Sequence, residues 1–103
     1  MVYEMRVYTL QPGKVPEFQA LIEKEALPII NKYSKLVGWW STEVGPLNEV
    51  VHIWAYEDLA HRTRAREAQG ADPQLQAFRP KAQAMIVSQY NKLLTPASFS
   101  PLK

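Results

Sequence analysis

Three side chains that could do chemistry lie at alternate positions near the start of the chain: Glu4, Arg6 and Tyr8. Alternate positions of an extended strand point to the same side, so the carboxylate and the guanidinium can pair directly. The planar fork of an arginine can hold a carboxylate, an enolate or a phenolate oxygen, and a tyrosine ring can stack on a flat molecule. The spacing therefore predicts a strand face that combines an acid, a fixed cation and an aromatic ring.

A second set of candidate residues lies in the middle of the chain, where His52 and Trp54 alternate in an apolar segment. A histidine can take up a proton near neutral pH. We predict that His52 acts as a base and that Arg6 stabilises an oxyanion. The predicted ligand-contacting residues are Glu4, Tyr8, Trp40 and Trp54. The two sets meet only if their polar faces coincide, which alternation does not determine, because a shift of one residue exchanges the faces.

A purely structural interpretation of these residues stays open. Buried polar groups need partners, and an acid–base pair across a dimer interface would satisfy them and set its register without any substrate. Haem ligation by His52 is disfavoured, because a lone histidine in a strand is more often a hydrogen-bonded core residue. The chain has no cysteine, and its other histidine, His61, is remote from any further ligand. We therefore expect no cofactor and no metal site.

Composition argues against several other classes of protein. The 103 residues are 47% hydrophobic and 21% charged, which predicts one soluble domain. No apolar run approaches the roughly 20 residues of a membrane span, and the charged, alternating start is unlike a secretory signal, so we expect a cytoplasmic protein. The net charge is only +2. The single basic cluster, Arg62, Arg64 and Arg66, is expected to point to different sides of a helix, which argues against nucleic-acid binding.

Periodicity predicts the elements that must position these side chains. Strands are expected over residues 2–10, 36–44, 49–56 and 85–94, and a helix follows the first and the third of them. The first helix should begin near Pro16 and should kink or end early at Pro28. Asp58 and Asp72 are predicted N-caps of the second helix and of its restart, which Pro80 should end or bend early.

The order strand, helix, strand, strand, helix, strand predicts an α+β, ferredoxin-like split βαβ fold, βαββαβ. Residues 1–94 would form the domain, with one four-stranded antiparallel sheet, and residues 95–103 an irregular tail. Helices would cover one face of the sheet, and no third layer remains for the other, apolar face. We expect a second copy of the chain to cover it, which gives a homodimeric α/β barrel enclosing a ligand chamber, either as a plain dimer or as a dimer of dimers.

Several segments resemble NIPSNAP-family domains. They are the opening at residues 3–10 and 12–14, the central hairpin at 36–40, 43–48 and 51–56, the Asp72-Pro73 step and Phe78. The resemblance covers residues 2–94 and implies the dimeric α/β-barrel superfamily, whose members include cofactor-independent monooxygenases, muconolactone isomerase-like enzymes and haem-dependent enzymes. NIPSNAP proteins have no agreed reaction, so it supplies no catalytic residues.

Two functions follow from this resemblance together with the candidate residues. The first is binding of a small aromatic or carbonyl ligand, with cofactor-free oxygenation or isomerisation as the reaction class. The alternative is a non-enzymatic adaptor or binding protein that acts through protein–protein contacts. The animal members of the family resemble adaptor proteins of this kind. An enclosed cavity of a few hundred cubic ångströms would favour the first, and a filled interior the second.

Overall fold

The computed structural model describes residues 1–103 and has the predicted order of elements. The strands are β1 (Val2–Leu10), β2 (Lys35–Ser41), β3 (Glu49–Tyr56) and β4 (Ile86–Leu94). The helices are α1 (Val15–Leu21), α2 (Leu27–Ile30), α3 (Leu59–Ala71) and α4 (Pro73–Gln83), and a π-helical turn (Ile22–Ala26) joins α1 to α2. Residues 95–103 contain no helix or strand. None of the helices combines the length and apolar character that crossing a membrane would require.

The four strands form one antiparallel sheet in the order β2-β3-β1-β4, which confirms the ferredoxin-like fold. The first and third strands are neighbours, as predicted. Their register sets Arg6 opposite His52 and Glu4 opposite Trp54. Because facing residues of an antiparallel pair point to the same side, the two polar sets share one face of the sheet.

The helices pack on that same face. Leu10 and Val50 from the sheet form one buried cluster with Phe18 of the first helical segment and Phe78 of α4. The polar set therefore lies between the sheet and the helices of its own chain. This corrects the expectation that the acid–base pair lies across a contact between two copies of the chain, because the helices of the same chain bury the face that carries it.

The opposite side of the sheet, here called the open face, is apolar and is not covered by a helix. It carries Val7, Val51 and Ile53 in its middle and Trp40 and Tyr90 towards its edges, by the strand register. Trp40 and Tyr90 are 52% and 56% exposed. The predicted contrast between a helix-covered and an uncovered face is therefore confirmed.

Pro28 disturbs the first helix, but in a form that the sequence did not indicate. A proline has no N–H group for the carbonyl one turn earlier. The chain absorbs this in the π-helical turn just before it, where the N–H of Leu27 bonds to the carbonyl of Ile22, five residues back. The helix then continues to Ile30, so it does not end at the proline. In α4, Pro80 is likewise tolerated, and that helix runs on to Gln83.

A register shift in β2 decides which tryptophan reaches the helices. Leu36 pairs with Trp54, but Gly38 pairs with Ile53, so one residue between them has no partner. After the shift, Trp39 lies opposite His52 and Trp40 opposite Val51. Trp39 therefore points to the helix-covered face and Trp40 to the open face.

Both predicted N-caps are confirmed. The side chain of Asp58 accepts a hydrogen bond from the backbone N–H of His61 at 2.7 Å, and Asp72 accepts from that of Gln74 at 2.9 Å. The Asp58 cap begins α3, whose Arg62 bonds to Glu4 on the polar face of the sheet. The Asp72 cap and the following proline restart the chain as α4, which closes the other side of the same space.

Candidate functional site

A cavity of about 390 Å³ lies between the sheet and the helices. This volume is within the usual range for small-molecule sites. Its aromatic walls are formed by Tyr8, Phe18, Trp39, Trp54 and Phe78, with His52 among them. Its charged lining residues are all arginines: Arg6, Arg66 and Arg79. An adjoining pocket of about 70 Å³ reaches Glu4.

Glu4 is fully buried and is the centre of an ionic network beside the cavity. Its Oε2 accepts hydrogen bonds from Arg6 Nη1 at 2.9 Å, Arg62 Nη2 at 2.8 Å and Asn91 Nδ2 at 2.6 Å, and its Oε1 accepts from Arg62 Nε at 3.1 Å. Burial would raise the pKa of Glu4, but the hydrogen bonds from Arg62 and Asn91 and the charges of both arginines lower it to about 2. Glu4 is thus an ionised anchor with its oxygens already occupied.

Arg6 is held in place by the same network. Besides its bond to Glu4, its Nε donates to the Tyr8 hydroxyl at 2.9 Å. Burial acts to lower the pKa of Arg6, but its contacts with Tyr8 and Glu4 outweigh this and raise the pKa, so the group stays charged. Two of its three nitrogens are engaged, and the third, Nη2, forms no side-chain hydrogen bond. The direct Glu4–Arg6 pair predicted from the spacing is therefore present, within one strand.

His52 is buried among aromatic rings in a fixed orientation. The Trp39 ring stacks on it at 4.1 Å between centroids, and Tyr8 approaches edge-on at 4.8 Å. Its Nδ1 accepts a hydrogen bond from Trp54 Nε1 at 2.7 Å. In a neutral imidazole whose Nδ1 accepts, the proton is assigned to Nε2. His52 therefore presents an N–H donor at Nε2.

Electrostatics keep His52 neutral. Burial, and then the positive charge of Arg6, lower its pKa to about 3, and the negative charge of Glu4 opposes this only in part. At neutral pH the ring has no charge and its basic nitrogen is occupied by Trp54. The predicted role as a base needs an accessible basic nitrogen, whereas the atom left free in this geometry is a donor.

Two N–H groups in the site have no partner within the chain. They are Nε2 of His52 and Nε1 of Trp39, both buried and both on residues that line the cavity. A buried donor without an acceptor costs roughly 1–3 kcal/mol. The rings of these two residues are stacked on each other, and both residues line the cavity.

The structure brings together five of the six predicted site residues, namely Glu4, Arg6, Tyr8, His52 and Trp54. Trp40 lies apart from them, on the open face. Its ring covers Gly38 so closely that an added Cβ at this position would overlap the Trp40 side chain. Trp39 lines the cavity in place of the predicted Trp40, because the register shift in β2 exchanges the faces of the two residues.

Sequence reasoning missed the contribution of α3 to the site. Arg62 bonds to Glu4, and Arg66 lines the cavity one turn later. The expectation that the arginines of this cluster all diverge is wrong for this pair, since residues four apart share a helix face. The buried residues Ala65 and Gln69 lie on the same side, and this i, i+3, i+4, i+7 spacing was the signal available in the sequence. Elsewhere, no three His, Cys, Asp or Glu side chains lie close enough to hold a metal ion.

Replacing the buried anchor should be costly. We expect Glu4→Gln to lower the free energy of unfolding by about 3 kcal/mol, because it leaves two arginines beside a neutral amide in a buried position. Urea unfolding followed by circular dichroism measures this. The matched control is Glu17→Gln, in an exposed pair with Lys14, which should cost a small fraction of that. Equal losses in both variants would contradict the role given to Glu4.

Stability should depend on pH through His52. Because its pKa falls from 6.5 to about 3 on folding, the unfolded chain binds a proton below pH 6.5 that the folded chain does not. The free energy of unfolding should therefore decrease from pH 6.5 to pH 5, by up to about 1.4 kcal/mol per unit. Glu4 adds a further loss only below its unfolded pKa of 4.5.

The variant His52→Gln should flatten that slope between pH 6.5 and 5. His61→Gln is the matched control, since it removes the other histidine and leaves His52 in place, and the slope should persist. Urea unfolding at a series of pH values separates the two. A slope that disappears in His61→Gln, or survives in His52→Gln, would contradict the assignment.

Comparisons with known proteins agree with this fold and identify a family. The NIPSNAP family model matches residues 3–101. The human protein NipSnap homolog 3A is 45% identical over 75 residues, which are 72% of this chain and 30% of that protein. The chain thus spans about a third of the length of this curated relative.

Two solved structures place the fold. An uncharacterized NIPSNAP domain protein from Burkholderia xenovorans is 46% identical, with a TM-score of 0.95 over 98% of this chain and 99% of that one. SnoaB, a cofactor-independent oxygenase from Streptomyces nogalater, has a TM-score of 0.69 over 97% and 96% but only 19% identity, so this likeness concerns the fold alone. With a family model matched over nearly its whole length, the chain belongs to the NIPSNAP family.

Proposed function

We propose that this protein binds a flat small molecule through a negatively charged oxygen attached to its ring, as in a phenolate or an enolate. The observation that supports this best is the pair of buried N–H donors, on His52 and Trp39, that have no acceptor within the chain and belong to residues lining a cavity of about 390 Å³. The aromatic walls suit a planar ring. A cavity of this size also favours a ligand site over the adaptor alternative, which expects a filled interior.

In this proposal each residue has a distinct task. His52 and Trp39 donate to the ligand oxygen, Arg6 supplies a positive charge beside it through its free Nη2, and Tyr8 and Trp54 contact the ring. Donors fixed in a buried site stabilise a developing oxyanion strongly, because they need not reorganise and little water competes. His52 thus acts as a neutral donor instead of the base expected from the sequence. Glu4 contributes indirectly, by orienting Arg6.

The reaction class that suits such a site is cofactor-free oxygenation or isomerisation. The reacting atom would be an acidic carbon next to the carbon that carries the bound oxygen. The donors lower the pKa of the bound molecule, and its proton leaves to water. In an oxygenation, a CH₂ group and one O₂ give a C=O group and one water, so the substrate supplies all the electrons. In an isomerisation the proton returns at another carbon. Quinols and enolisable lactones are the compounds to screen for turnover.

A simple phenol tests the binding site. We expect 2-naphthol to bind, and part of the bound probe to be ionised at pH 7, which absorption at the longer wavelength of the naphtholate reports. Trp39→Phe removes one donor and keeps the ring, so the dissociation constant should rise about tenfold, the usual effect of losing a hydrogen bond to a charged group. Isothermal titration calorimetry measures that constant.

The two adjacent tryptophans provide the control. Trp40→Phe makes the same chemical change on the open face and should leave both affinity and spectrum unchanged. The donor role of Trp39 and His52 is refuted if 2-naphthol binds only in its neutral form. It is also refuted if both variants bind 2-naphthol as tightly as the parent protein does.

We also propose that a second copy of this chain covers the open face. The apolar middle of that face, with Val7, Val51 and Ile53 flanked by the half-exposed Trp40 and Tyr90, supports this. A stable dimer needs roughly 800 Å² buried on each partner, which a four-stranded sheet can supply. Whether two such dimers associate further, and the cytoplasmic location, stay predictions from the sequence.

Sedimentation at micromolar concentration tests the dimer. We expect twice the 11.8 kDa of the chain for the parent protein and a shift towards the monomer for Ile53→Lys, because a charge in the middle of an apolar contact is not compensated. Arg64→Glu, on the exposed side of α3, should stay dimeric. A folded 11.8 kDa parent protein would refute the dimer but leave the cavity intact, since one chain forms it.

A further inference from the structure

Two arginines that the proposed oxygen site does not use line the cavity on its exposed side. Arg66 comes from α3 and Arg79 from α4, and both are solvent-exposed residues that also line the cavity. The Arg79 side chain extends towards α3, since its Nη2 lies 3.9 Å from the point where a Cβ at Gly70 would be. The two arginines thus come from the two long helices that border the cavity, and Arg66 also lines the adjoining pocket.

Neither of these arginines has a partner within the chain. The four ion pairs of the chain involve Arg6, Lys14, Arg62 and Lys81, and no side-chain hydrogen bond engages Arg66 or Arg79. Their position on a cavity wall is therefore not explained by a structural ion pair. Arg62, one turn before Arg66, differs in this respect, because two of its three side-chain nitrogens donate to Glu4.

The charge of the cavity has one sign. The partly buried Arg6 and the exposed Arg66 and Arg79 are its only charged lining residues, and Gln69, Gln83 and Gln89 add neutral amides. A cleft with charges of one sign between apolar walls concentrates ions of the opposite sign. Guanidinium groups suit a carboxylate in particular, because the planar fork matches its two oxygens.

We propose that the ligand carries a carboxylate at the end remote from its phenol or enol oxygen. Arg66 and Arg79 bind this carboxylate at the exposed side of the cavity. The inference rests on the proposed function and narrows its substrate class to planar aromatic carboxylates with a phenol or enol oxygen. The two arginines are specificity residues that select acidic ligands over neutral ones of the same shape.

A matched pair of probes tests this selection. 6-Hydroxy-2-naphthoate has a hydroxyl group and a carboxylate at opposite ends of the ring system, and 2-naphthol is the same molecule without the carboxylate. We expect calorimetry to show the carboxylate probe binding about tenfold more tightly to the parent protein. That advantage should shrink as salt increases, because the arginines are exposed.

The variants Arg66→Gln and Arg79→Gln should each lose most of that advantage, and should lower the affinity for 2-naphthol much less than the affinity for the carboxylate probe. Arg64→Gln, on the outer side of the same helix, is the matched control and should keep it. All three positions are exposed and unpaired, so the variants should unfold at the same temperature as the parent protein, which a thermal melt verifies.

The possible results separate the two proposals. If both probes bind the parent protein with equal affinity, or if Arg64→Gln loses the advantage as fully as the two test variants, the carboxylate inference is overturned while the oxygen site stands. If neither probe binds, the proposed function and this inference fall together.

Discussion

The polar half of this molecule depends on one buried ion, the carboxylate of Glu4. An ionised group is stable away from water only when its oxygens are fully engaged, and here the partners come from three elements: Arg6 on β1, Asn91 on β4 and Arg62 on α3. The carboxylate thus fixes the sheet and the helix layer relative to each other at one end. It also fixes the guanidinium of Arg6 at the wall of the cavity.

The chemical character of the cavity follows from that arrangement. One carboxylate is surrounded by two arginines, so the group of three retains a positive charge beside His52. Burial, and then the charge of Arg6, lower the pKa of His52 to about 3 and leave a neutral ring. The hydrogen bond from Trp54 then decides which nitrogen holds the proton. A residue type that is usually a base near neutral pH is here a donor because of its neighbours.

Much of the fold was predictable because local chemistry determines it. The limits of β3 match those predicted from alternation, and Asp58 and Asp72 cap the helices that follow them, since a short acceptor side chain satisfies free N–H groups wherever a helix begins. The π-helical turn before Pro28 was not predictable in form. The missing N–H indicates only that one hydrogen bond must change, and several backbone geometries can absorb that.

The sequence by itself determined which side chains share a face of a strand. Alternate positions place Glu4, Arg6 and Tyr8 on one side, and adjacent positions place Trp39 and Trp40 on opposite sides. Only the tertiary structure decided which side faces the helices and which tryptophan lies with His52. A period of two is unchanged when a strand slides by one residue. The unpaired residue between Leu36 and Gly38 produces this one-residue register shift. Its position is determined by the pairing with β3 and by the packing of the helices.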